Sequence, residues 1–99
     1  MYEIVFAAGV RRDLKRLRPF DRGQVIDEIE SQLARSPGKA TTKRKVLHNL
    51  VPPFEAVPPV WQLRVGDLRV FYDVDEDERM VFVRAVRHKP GHKTTEEIL

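Results

Sequence analysis

The chain has 99 residues, 41% apolar and 33% charged, with a formal net charge of +3. That composition fits one globular domain able to bury its own core, and no apolar run approaches the ~18 residues of a membrane span. The absence of cysteine excludes a disulfide framework, a thiolate metal site and a cysteine nucleophile.

The amino-terminal MYEIVFAAGVRRD has no basic segment leading into an apolar one, so a cytoplasmic location is expected. Residues 2–6 (YEIVF) are β-branched and aromatic and predict a strand. Residues 8–17 place Val10, Leu14 and Leu17 on one stripe of an amphipathic helix, with Arg11, Arg12, Lys15 and Arg16 on its polar face. Arg18-Pro19-Phe20 is read as its end, because proline disfavours helix in the residue before it. Asp21 is then the expected N-cap of a second helix, with Gln24 in the capping-box position and Val25, Ile26, Ile29 and Leu33 as the buried stripe. Ser36-Pro37-Gly38 stops it.

Residues 39–45 have no periodicity and predict a loop; residues 46–50 predict a short strand carrying His48. The stretch VPPFEAVPP holds four prolines and cannot be a paired central strand, so an extended loop is expected over 51–59. Residues 60–74, VWQLRVGDLRVFYDV, read as a hairpin whose two-residue turn is Gly66-Asp67. Counting outward pairs Val65 with Leu68, Arg64 with Arg69, Leu63 with Val70, Gln62 with Phe71 and Trp61 with Tyr72. Alternation gathers Trp61, Leu63, Val65, Leu68, Val70 and Tyr72 on one apolar face. The other face sets Arg64 against Arg69, a destabilising pair unless an anion meets it. After an acidic turn at 75–78, residues 80–87 predict another strand, with Val81, Val83 and Ala85 on its apolar face and Arg84 opposite Arg69. Thr94 or Thr95 is the expected cap of a brief terminal helix. The sum is an α+β fold, its helix pair covering one face of an antiparallel sheet.

Charge is segregated along this chain. Residues 1–50 carry 11 Lys/Arg against 6 Asp/Glu, and residues 51–99 carry 7 against 9. Two acid-free stretches stand out: 36–50 with Lys39, Lys43, Arg44 and Lys45, and 84–93 with Arg84, Arg87, Lys89, Lys93, His88 and His92. A polyanion-binding surface requires such segregation, although solvated basic loops also produce it. Metal binding is not expected, since Pro90-Gly91 keeps His88 and His92 off one helical face. No glycine-rich phosphate loop is present. Trp61 and Tyr72 belong with the core, whereas Phe71 and Phe82, on the arginine face, are the better base-stacking candidates. The residues suit phosphate chemistry done with bases: arginine forks for phosphate oxygens and imidazoles for proton transfer. Holding a nucleic acid or an acidic protein segment would use the same surface.

The order β-α-α-β-β-β, the element W-x-L-R-V-G-D-x-R-V-x-Y of residues 61–72 and the strand ending V-R-x-V-x-H-K resemble the RelE/ParE superfamily of toxins from type II toxin–antitoxin systems. The likeness runs over nearly the whole chain. It implies one domain, with the N-terminal strand and αα-hairpin packed on one face of an antiparallel sheet of three or four strands. For the RelE branch it implies a metal-independent, cofactor-free endoribonuclease that cleaves translated mRNA in the ribosome. Its partners would be the ribosome, mRNA and an acidic cognate antitoxin, with no membrane; nothing indicates a homo-oligomer. The ParE branch shares the fold and inhibits DNA gyrase, and a third outcome is an inactive binding module. By position, Arg69 matches the arginine that steadies the scissile phosphate, and Lys89 falls where RelE has a second active-site arginine. Val60 and Gln62 stand where RelE has lysines, and the family's C-terminal tyrosine has no counterpart. Proton transfer then falls to His88, His92, His48 or Lys93, with Arg64, Arg84, Arg87, Lys43, Arg44 and Lys45 as further RNA- or phosphate-binding residues.

Overall fold

The computed structural model describes residues 1–99. Its organising element is the hairpin of β3 (Val60–Val65) and β4 (Leu68–Asp75), turned at Gly66, whose φ of +56° an L side chain rarely adopts. Every cross-strand pair expected from that turn is present, from Val65 with Leu68 out to Trp61 with Tyr72. On one side β2 (Arg44–Leu47) pairs antiparallel with β3; on the other β5 (Met80–His88) pairs antiparallel with β4.

The sheet has five strands, not three or four, because β1 (Glu3–Phe6) joins it parallel to β5 instead of lying with the helices. The order is β1-β5-β4-β3-β2. Parallel pairing needs a crossover in place of a hairpin, so it leaves no turn signature in the sequence. β1 stops pairing at Phe6, opposite Val83, and the N–H of Val86 farther along β5 donates instead to Asp13 Oδ2 at 3.0 Å.

Helix α1 spans Val10–Lys15, shorter at both ends than the stripe suggested, and α2 spans Pro19–Leu33. Pro19 does not end the first helix but begins the second. Arg18 is extended (φ −62°, ψ 151°), as a residue before proline prefers, and the fixed φ of proline suits the first helical position, where its missing N–H costs nothing. Arg22 of α2 ties the pair together by donating to the carbonyls of Leu14 in the last turn of α1 and of Leu17 in the connection that follows, each at 3.0 Å. β2 begins two residues earlier than expected and leaves His48 exposed in the turn after it.

The helix side of the sheet carries the main core: Val10, Val25, Ile29 and Leu33 from the helices against Leu63, Val65, Leu68, Val70, Tyr72, Val81, Val83 and Val86. Tyr72, fully buried, donates its hydroxyl to Pro37 O at 2.7 Å. A β-bulge between Phe71 and Tyr72 sets the β5 register: Phe71 faces Ala85, Tyr72 faces Val83, and Arg84 is left without a cross-strand partner. Ala85 therefore leaves the face shared by Val81 and Val83, and Val86 takes its place in the core. The residue opposite Arg69 is Arg87, not Arg84.

The second face is partly roofed. Val60, Phe71 and Ala85 form a small core beneath Leu47 at the end of β2, Leu50 just after it, Phe54 and Ala56 of the proline-rich loop, and Ile98 and Leu99 of the C-terminal segment. Phe71 is consequently fully buried, 5.9 Å from the Phe54 ring, and offers no stacking platform. Helix α3 (Thr95–Ile98) is held by a capping box in which Thr94 N donates to Glu97 Oε1 at 2.9 Å. No helix is long and apolar enough to cross a membrane.

Candidate functional site

What the roof leaves open is the Gly66 end of the second face. Arg64 and Arg69 stand opposite each other there. Gln62 shares their face by alternation, and Lys45 is its register partner on β2. Arg64 has no carboxylate within ion-pair distance. Arg69 donates Nη1 to the carbonyls of Gly66 (2.8 Å) and Leu68 (2.9 Å), which orients the guanidinium and leaves Nε and Nη2 without protein acceptors. Partial burial, and then the charge of Arg64, push the Arg69 pKa below its ordinary value, with Asp67 acting the other way. Arginine stays protonated regardless, so the group is a cation that the fold has made less comfortable.

These side chains line a cavity of about 190 Å³ together with Lys43, Lys45, Lys89 and Gln62. Thr41, Thr42, Arg44 and Thr95 complete the wall, and no carboxylate or apolar residue takes part. Lys89 is fixed where β5 ends, its N–H donating to Asp67 O at 2.7 Å. Thr95 is fixed by α3, and its hydroxyl donates to Gln62 Oε1 at 3.2 Å. A concave, acid-free surface with two guanidiniums unpaired by any carboxylate, a third from Arg44 bonded to backbone carbonyls, and three ammonium groups favours an anion with several oxygens, held bidentately at Arg69.

The remaining expected site residues are engaged by other groups or stand elsewhere. Arg44 is buried and donates to Lys39 O and to Gln32 O in the last turn of α2, so its guanidinium serves the helix end. Arg84 is neutralised by Asp73, through Nε–Oδ2 at 2.7 Å and Nη2–Oδ1 at 3.2 Å, and lies over the Phe82 ring. Arg87 is neutralised by Asp13 at 2.7 Å. His88 pairs with Leu68 and lines a different cavity, with Arg16 and Leu17 from the turn between the helices and Asp21 from α2. His92 and Lys93 are exposed on the loop joining Lys89 to Thr95, and His48 is exposed beyond β2. No group of three or more His, Cys, Asp or Glu is placed to hold a metal ion.

Sequence reasoning overlooked three contributors. Asp13 and Asp73 each remove one arginine from the free row, and neither is marked by spacing from its partner. Glu28, from α2, lies 3.9 Å from Lys43 and lines a neighbouring cavity with Arg64 and Arg69.

Residues 4–90 match the family profile described as the ParE toxin of the type II toxin–antitoxin system parDE. The chain belongs to this toxin family. No curated protein matches it. Among solved structures the toxin is similar to the toxin–antitoxin complex RelBE2 of Mycobacterium tuberculosis, with TM-score 0.72 and 25% identity over 89% of this chain and 98% of that one. It is also similar to the isolated RelE toxin of E. coli (TM-score 0.69, 16% identity, 98% of this chain and 94% of that one). A third likeness is to the archaeal RelE–RelB complex of Pyrococcus horikoshii (TM-score 0.63, 16% identity, 93% and 98%). At 16% identity the latter two speak for a shared fold. The molecule is thus a toxin of a type II toxin–antitoxin system, built on the RelE/ParE fold.

Proposed function

We propose that this toxin is a ribosome-dependent, metal-independent endoribonuclease that cleaves translated mRNA, with the acid-free cavity as its active site. The supporting observation is that Arg64 and Arg69 keep their charge unneutralised in the one place where Lys43, Lys45 and Lys89 converge with them. A crowded row of cations costs stability in the free protein and is offset when a phosphate docks.

In this reading the 2′-oxygen attacks phosphorus and the P–O5′ bond breaks, leaving a 2′,3′-cyclic phosphate and a free 5′-hydroxyl. Arg69 and Arg64 hold the non-bridging oxygens as charge builds in the transition state. Lys89 donates a proton to the departing 5′-oxygen. His92, exposed on the loop that joins the wall residues Lys89 and Thr95 but not itself part of the wall, takes the proton from the 2′-hydroxyl in this scheme. His88, on the helix side, is assigned no role in this step. The same cavity would be closed in the resting cell by a cognate antitoxin offering an acidic segment, in keeping with relatives solved as toxin–antitoxin complexes. Purified toxin added to a translating extract tests the reading: wild type should truncate mRNA, and Arg69→Ala should leave it intact while remaining folded.

A second reading is ParE-like inhibition of DNA gyrase. It is favoured by the identity of the matching profile and by the lack of a histidine or carboxylate among the residues lining the cavity. Blocked supercoiling with intact mRNA would decide for it.

A further inference from the structure

On the α2 side of the arginine pair is a second cavity, about 490 Å³, which the cleavage scheme does not use. Lys43, Arg64 and Arg69 are walls common to both cavities. The second differs in having carboxylates as well as cations, Glu28 on its α2 wall and Asp67 at the hairpin turn. Glu28 Oε2 is the one buried side-chain polar atom in the molecule without a hydrogen-bond partner, while the side chain as a whole is 30% exposed, so a turn of the carboxylate about its last bond presents both oxygens to the cavity. Lys43 Nζ stands 3.9 Å away, close enough to balance the charge and too far to donate. Buried carboxylate oxygens without a donor are uncommon, and each calls for an explanation. Here the explanation must also suit a cavity whose other wall holds the cations Lys43, Arg64 and Arg69, with Asp67 at the turn beside them.

An anion alone would satisfy the arginines and leave Glu28 as it is. The complementary ligand is bipolar, with a phosphate at one end and N–H donors at the other. Among nucleobases, guanine alone offers two adjacent donors, N1–H and N2–H, to the two oxygens of one carboxylate. Adenine and cytosine set a ring acceptor beside their amino group, and uracil flanks its single N–H with carbonyls. Each of these would turn a lone pair toward a carboxylate oxygen. The volume lies within the range of sites that hold a small molecule. We propose that this cavity is a guanosine-nucleotide subsite, with phosphate on Arg64 and Arg69 and the guanine edge read by Glu28. The proposal rests on the RNA reading above for its biological ligand, and it makes Glu28 the residue that gives the toxin a base preference at one position. A single-stranded nucleotide, whose Watson–Crick edge is free, meets that requirement.

The test uses the intact toxin and the four ribonucleoside monophosphates, titrated one by one at low salt by calorimetry or by amide shifts. GMP should bind about tenfold tighter than AMP, CMP or UMP, the discrimination expected of one bidentate contact. Glu28→Gln should bind all four alike, Arg69→Ala should weaken all four together, and melting curves identify any variant that does not fold. Glu28→Ala is a second route to the same loss of preference. Equal binding of the four by wild type, no binding of any, or a guanine preference that survives in both Glu28 variants would each overturn the subsite. Truncation of mRNA is followed in parallel. Arg69-dependent truncation without guanine preference removes the subsite alone, whereas guanine preference with untouched mRNA removes the nuclease and leaves the subsite.

Discussion

Arg69→Ala and Arg87→Ala remove register partners of the same charge from adjacent strands, yet the structure predicts opposite consequences. Arg69 gives up two hydrogen bonds, to Gly66 O and Leu68 O, at the tip of a hairpin where water can replace it. Such bonds contribute about 0.5–1.5 kcal/mol each when well shielded, and less where solvent competes. Against that, the substitution relieves the opposition of Arg64, a cross-strand effect of about 0.2–1 kcal/mol. The two nearly cancel, so melting should move by no more than about 8 °C in either direction, the equivalent of about 1 kcal/mol for a chain this long. Arg87, 28% exposed, is the counter-charge of Asp13, which is 10% exposed. Its loss leaves a largely buried carboxylate with only the Val86 N–H. The cost should be about 2 kcal/mol, below the about 3–5 of a fully buried pair because Arg87 retains solvent. Thermal or urea unfolding measures both variants, with mRNA truncation followed beside it. Destabilisation of Arg69→Ala by more than about 2 kcal/mol would refute the reasoning, since Arg69 would then be a structural member and not a free cation. So would an Arg87→Ala variant as stable as wild type.

Three further outcomes follow from the packing. Asp73→Ala strands Arg84 (12% exposed) and removes the acceptor of the Val57 N–H, so denaturant titration should give a loss of about 3–5 kcal/mol. Tyr72→Phe leaves Pro37 O without its buried donor and should cost about 1–3 kcal/mol in the same assay, with the fold retained. The Glu97 carboxyl is held below its ordinary 4.5 by the backbone N–H and hydroxyl of Thr94. A carboxyl with a depressed folded pKa supports its helix above the unfolded value, and that support is lost as pH falls through the folded one. Helix α3 should therefore stay docked near neutrality and fray in acid below about pH 4.5, visible in the Thr94 amide shift and absent in Glu97→Gln, which does not titrate.

The hairpin register was legible because one pair of turn residues determines it: a positive φ at Gly66 fixes every pair outward. The same counting failed at β5, where one bulged residue moves Arg84 off the row and brings Arg87 to Arg69. Bulges answer to packing across the sheet, here Phe71 against Ala85 beneath Phe54, and carry no local signal. The parallel edge strand was missed for a related reason, being specified by contacts between residues 3–6 and 80–83. At the site, the cationic face itself was visible in the spacing of Arg64 and Arg69. Which arginines stay free was not, because the acids that claim Arg84 and Arg87 come from β4 and α1. His88 illustrates the parity rule: one residue from Arg87 on a strand, it belongs to the opposite side.

The central claim is that the unneutralised Arg64–Arg69 pair exists to meet the phosphate of a translated message. Incubating a translating extract with wild type and with the Arg64→Ala/Arg69→Ala double variant, then mapping the message ends, measures this directly. The account predicts discrete truncations that require translation and disappear in the folded double variant. Equal truncation by both proteins, or an intact message while gyrase supercoiling is blocked, would contradict it.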